Sequence, residues 1–133
     1  MAVQLITPDD LFDSPIYRQV SSSVGSRLVE VAGQVGWDES AELVADDLAG
    51  QLVQAYRNVG RALNAAGATF ADVTRYRVFV TEWSLDQMPQ FMQGHEQAVA
   101  ELGLTAAPAS LIGVAALFDP RIRVEIEASA IVE

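Results

Sequence analysis

The 133-residue chain has no cysteine, no lysine and a single histidine, His95. Without cysteine there is no thiolate nucleophile, no disulfide framework, and no zinc or iron–sulfur site of the thiolate kind. Without lysine the protein can form no Schiff base and no Walker-type phosphate loop. One histidine excludes a multi-histidine metal site within one chain, so no metal centre is expected. Positive charge is scarce too: eight arginines face 18 acidic residues, a formal net charge of −10. Contact with nucleic-acid phosphates needs a basic footprint, which this composition does not supply. No apolar run approaches the roughly 20 residues that span a bilayer. The opening MAVQLITPDDLFD lacks the basic and apolar regions of a secretion signal. The expectation is a cytoplasmic protein with no nucleic-acid or membrane partner.

The sequence is rich in apolar residues, 50% of the total against 20% charged, the balance of a packed globular domain. No repeat, low-complexity tract or linker interrupts it, so residues 1–133 read as one domain. Tyr17–Val24 and Arg27–Val35 are extended runs around Gly25-Ser26, which predicts a hairpin. A helix is predicted from Asp46 to Ala66, with Val44, Leu48, Leu52, Ala55, Val59 and Leu63 at helical spacing. Gln51, Gln54, Asn58 and Arg61 lie off that stripe. Thr74–Thr81 is β-branched and aromatic and reads as a strand.

A second helix follows, with Ser84 and Gln87 spaced as a capping box and Pro89 in its first turn. Its predicted stripe is Met88, Phe91, Met92, His95, Val99 and Leu102. Pro108–Leu117 is a further strand candidate, and Arg121–Val132 alternates cleanly from Ile122 to Val132. With a short leading strand at Val3–Ile6, the pattern predicts a two-layer α+β domain: one mixed sheet with both helices on one face. The sheet's other face mixes Leu28, Ala32 and Gln34 with Glu125 and Glu127, a composition suited to cover by another subunit.

These segments resemble the RidA (YjgF, reactive-intermediate deaminase) family over almost the whole chain. The matching stretches are Ile16-Tyr17-Arg18-Gln19, Val31-Ala32-Gly33-Gln34, Asn58-Val59 through Ala65-Ala66-Gly67-Ala68, Asp72-Val73 with Val78-Phe79-Val80-Thr81, Pro108-Ala109, and Val124-Glu125-Ile126-Glu127-Ala128. The resemblance implies a chorismate-mutase-like fold, a homotrimer with small-molecule ligand clefts between subunits, and hydrolysis of enamine or imine acids to 2-oxo acids and ammonia. It implies no cofactor. The family's cleft tyrosine falls on Tyr17, its ligand-facing glycine on Gly33, its water-positioning glutamate on Glu127, and its helix asparagine on His95. The serine preceding the glycine is Ala32 here. Where deaminating members carry a carboxylate-binding arginine, this chain has Ser110.

A hydroxyl cannot replace the charge of a bidentate arginine. Loss of such a contact costs on the order of 1.5–3 kcal/mol. Two functional expectations therefore stand: a hydrolase with an altered substrate, or a non-catalytic metabolite-binding protein of the same fold. In either, Glu127, His95 and Tyr17 are the candidate catalytic set, and Ala32, Gly33 and Ser110 the candidate ligand contacts. Glu125 shares the strand parity of Glu127, so parity does not choose between them. Arg75 and Arg77 share a strand face and are alternative sources of positive charge; Trp37 and Trp83 flank loops beside the expected cleft.

Overall fold

A computed structural model describes residues 3–133. In chain order its elements are β1 (Val3–Ile6), β2 (Val20–Ser23), β3 (Arg27–Gln34), α1 (Leu48–Ala65), β4 (Val73–Thr81), α2 (Met88–Leu102), β5 (Ala109–Val114) and β6 (Val124–Val132). Four strands form a mixed sheet in the order β3-β6-β4-β5, antiparallel except for the β4–β5 pair. α1 packs on β6 and β3, and α2 packs on α1. The α+β architecture is as the sequence pattern predicts.

The helix starts because Asp47 turns its carboxylate onto the Gly50 amide at 3.1 Å, satisfying an amide that the first turn leaves free. Leu48, Leu52, Ala55, Val59 and Leu63 are buried as expected, while Val44 lies outside the helix and stays exposed. Gln51, which the periodicity left off the stripe, is fully buried. Its amide nitrogen donates to the Ala45 and Arg121 carbonyls at 3.1 and 2.9 Å, and its oxygen accepts from the Arg123 amide at 2.8 Å. A glutamine is needed there because three backbone groups converge without other partners. Gln51→Leu keeps the volume and strands all three, so urea unfolding should show a loss of about 3 kcal/mol; an unchanged midpoint would contradict this role.

The buried seam of α2 is Phe91, Gly94 and Ala98, rotated from the predicted stripe, since Met88 and Val99 remain exposed. The cause is a close helix crossing: a Cβ on Gly94 would lie 2.8 Å from the Ala49 carbonyl oxygen. The expected capping box at Ser84 is absent. Gln87 instead donates to the Glu82 carbonyl at 2.7 Å, and Gly103 closes the helix in the left-handed region.

The predicted hairpin between Tyr17–Val24 and Arg27–Val35 does not form. β2 is only four residues long and pairs antiparallel with β1, Val3 opposite Ser23, as a separate two-stranded sheet. The sequence Val-Ser-Ser-Ser offers β3 no apolar face to match. Ser21 Oγ donates to the Thr74 carbonyl at 2.8 Å, and the Ser26 amide to the Val132 carbonyl at 3.1 Å. Those bonds draw the connection across the end of β6 and leave the outer edge of β3 without a neighbouring strand among the described residues.

Candidate functional site

Alternation along β6 buries Val124, Ile126, Ala128 and Ala130 against the helices and turns Glu125, Glu127 and Ser129 to the opposite face. Strand register then fixes what stands beside each. Glu127 lies opposite Arg77, which lies opposite Ser110; Glu125 lies opposite Phe79, which lies opposite Ile112. Neither helix covers this face, and Leu28 on it is 62% exposed.

At one end of the face the β3–β6 register shifts between Val31 and Gln34, bringing Gly33 onto the Glu125 side chain. A Cβ at Gly33 would sit 2.6 Å from Glu125 Cδ, so any larger residue displaces the carboxylate. A groove of about 550 Å³ opens here, walled by Trp37 and Phe118, whose rings meet edge to face at 5.1 Å. Asn58 donates to the Val35 and Trp37 carbonyls at 3.0 and 2.8 Å and so fixes the groove wall to α1. Burial, and secondarily the charge of Glu127, raises the Glu125 carboxyl above its usual 4.5. Glu127 has a different environment: its Oε1 lies 3.9 Å from Arg77 Nη1, a half-exposed ion pair.

Ser110 does not stand without positive charge. Arg75 reaches across from β4 and donates from Nη2 to Ser110 Oγ at 2.8 Å. With Arg77 opposite Ser110, two guanidinium groups flank the position where the resemblance implies one.

Tyr17, His95 and Ser110 all border a second, more enclosed cavity of about 190 Å³, between α2 and the β4–β5 pair. His95 stacks on Phe91, centroids 6.3 Å apart and rings 8° from parallel. Burial lowers its pKa below 6.5, against a smaller opposing effect of Glu96. The sign follows directly. The unfolded chain takes up the proton first on acidification, so this residue's contribution to stability is present above pH 6.5 and falls as pH drops below it. Imidazole NMR should give a midpoint below 6.5 and a neutral ring at pH 7; a midpoint above 6.5 would contradict the packing.

The six sequence-predicted residues thus fall into two groups. Ala32, Gly33 and Glu127 lie on the open face over β3 and β6, and Tyr17 and His95 lie at the β5 side, with Ser110 between. Ser110 and Glu127 are two strand spacings apart, roughly 10 Å. Sequence reasoning weighs Glu125 only as sharing the parity of Glu127 and leaves it out of the candidate set; what distinguishes it is its contact with Gly33, and Arg75 is given no specific partner by the sequence. Trp37 walls the groove, whereas Trp83 packs on Phe91 at 5.9 Å. No group of three histidine or carboxylate side chains is placed to hold a metal ion, and no helix is long and apolar enough to cross a membrane, among the described residues.

Residues 14–132 match the family model described as endoribonuclease L-PSP. Among solved structures, YyfB of Yersinia pestis, a Rid-family protein of unknown function, is similar at 32% identity and TM-score 0.89, over 99% of this chain and 100% of that one. A YjgF/YER057c/UK114-family protein of Mycobacterium tuberculosis is similar at 33% identity and TM-score 0.63, over 98% and 100%. TdcF of E. coli, solved with bound serine, shares 26% identity at TM-score 0.70, over 96% and 94%. No curated protein matches the chain significantly.

Proposed function

The chain belongs to the Rid/YjgF (endoribonuclease L-PSP) family, and from that premise we propose that it is a cofactor-independent hydrolase of small imine or enamine acids. The observation that carries this reading is Glu125, set against Gly33 on the open face with its carboxyl raised by burial. A carboxyl whose pKa is raised above the usual glutamate value is suited to general acid–base work. Water adds to the imine carbon while Glu125 accepts one of its protons. That proton passes to the imine nitrogen, giving a carbinolamine; Glu125 then takes the carbinolamine's hydroxyl proton and delivers it to nitrogen as the C–N bond breaks, leaving a 2-oxo acid and ammonia. Glu127, held by Arg77, keeps a second negative charge beside Glu125 and contributes to the raised value.

Arg75, bonded to Ser110, lies on the same side of the chain as Tyr17 and His95, so the guanidinium that binds the substrate carboxylate over Glu125 comes with them from a neighbouring chain. The serine bound to TdcF supports a ligand of amino-acid size. The uncovered sheet face, with exposed Leu28, supports assembly of copies, proposed here as a trimer. In that assembly a neighbouring chain's Tyr17 and His95 complete the cleft over Glu125, since those of the same chain lie beyond Ser110. Non-catalytic binding is the second reading, favoured by the enclosed cavity at His95. The net charge of −10 disfavours an RNA substrate. Generating 2-aminoacrylate in situ tests the reading: the protein should accelerate pyruvate release, and no acceleration would leave the binding reading in its place.

A further inference from the structure

We infer, resting on the hydrolase reading, that the groove beside Glu125 holds the substrate's side chain and takes a neutral aromatic one, so that the substrate class is aromatic 2-imino acids. Glu125 shares this groove with Trp37, Phe118 and Arg61. A substrate whose imine carbon meets Glu125 therefore has these three side chains within reach of its own. The groove measures about 550 Å³, whereas an apolar cavity of about 150 Å³ in another protein admits benzene. A methyl side chain would leave nearly all of the groove to water; a ring displaces that water and covers the aromatic walls.

The walls are held in place before any ligand arrives. The Trp37 amide donates to the Val35 carbonyl at 2.8 Å, and its carbonyl accepts from Asn58 and Gln54 at 2.8 and 3.2 Å. Phe118 stands just before the turn into β6, where the Arg121 amide donates to Asp119 Oδ1 at 2.8 Å. The two rings meet edge to face, yet Phe118 is 69% exposed, which leaves ring surface for another ring to stack on. Charge then narrows the class. Arg61 donates from Nη1 to Asn58 Oδ1 at 3.0 Å and has no carboxylate within ion-pair distance among the described residues. Its guanidinium repels a cationic side chain and is suited to lie against an aromatic face. Glu125 and Glu39, also on the groove, repel an anionic one. Asp38 beside them is tied into its own turn, its Oδ1 accepting from the Ser40 and Glu42 amides at 2.8 and 3.0 Å.

Calorimetric titration with the product acids reads side-chain selection without turnover. Phenylpyruvate should bind the wild-type protein about tenfold tighter than pyruvate, the scale of a well-placed aromatic contact with its buried area. In Phe118→Ala, a change at an exposed position, that ratio should fall to about twofold or less. The cationic counterpart, 2-oxo-5-guanidinopentanoate, should bind more weakly than phenylpyruvate. Equal affinities for phenylpyruvate and pyruvate, an unchanged ratio in Phe118→Ala, or tighter binding of the guanidino acid overturns the inference. Hydrolysis is read separately, on imines generated in situ from phenylalanine and alanine by an amino-acid oxidase. In wild type kcat/KM should favour the phenylalanine-derived imine, and Phe118→Ala should lose that preference. Selective phenylpyruvate binding without hydrolysis of either imine would overturn the hydrolase reading and keep the side-chain site. Hydrolysis of both imines with equal kcat/KM would overturn the side-chain site and keep the hydrolase.

Discussion

Glu125→Gln should lower kcat/KM for imine hydrolysis by about 10²–10⁴, the contribution of a positioned general acid–base group, while leaving the fold at least as stable. The stability half follows from the sign of the shift. Folding raises the Glu125 pKa, so its favourable contribution exists below the unfolded value and is lost as pH rises through the folded one. At neutral pH the ionised side chain costs the fold something, and a neutral glutamine removes that cost. Activity lost with stability kept distinguishes chemistry from structural damage. The pH profile carries a further signature: the acid limb should sit above pH 4.5, the ordinary glutamate value, and Glu127→Gln should move it down by removing the neighbouring negative charge. Glu125→Gln with wild-type turnover would remove the assigned base.

Arg75→Gln should raise KM for a carboxylate substrate roughly 10- to 150-fold, equivalent to about 1.5–3 kcal/mol for a charged hydrogen bond, with a much smaller change in kcat. The argument rests on the 2.8 Å bond from Nη2 to Ser110 Oγ, which holds the guanidinium over β5. A neutral substrate lacking the carboxylate should lose nothing. Equal effects on both substrates, or a fall in kcat alone, would show that Arg75 holds the sheet together and does not bind the ligand. Arg77 serves as the control, because its partner is Glu127 at 3.9 Å.

Periodicity made much of this structure legible. Burial follows the 2-residue alternation of β6 throughout, whereas in α1 the predicted stripe is buried but so are the off-stripe Gln51 and Gln54, because the first half of the helix is enclosed nearly all round. The turn at Gly25-Ser26 was a sound local signal that tertiary bonds overrode, since Ser21 and Ser26 are tied to Thr74 and Val132. Gln51 was misplaced because a polar side chain looks solvent-facing until its three backbone partners are known. Within the site, parity placed Glu125 and Glu127 on one face but could not separate them. Their difference arises from a register shift on another strand, 90 residues earlier in the chain, and from which of them meets Gly33. The reach of Arg75 to Ser110 likewise depends on parallel pairing between β4 and β5, which neither segment encodes alone.

The central claim is that one cleft draws Glu125 from one chain and Tyr17 with His95 from another. Two inactive variants, Glu125→Gln and the double variant Tyr17→Ala/His95→Ala, should be unfolded together in equal amounts, refolded, and assayed for 2-oxo acid release. In the proposed assembly each site takes its two halves from different chains, so random assembly should restore about a quarter of wild-type activity. Activity no higher than the mean of the two separately refolded parents would contradict a shared cleft.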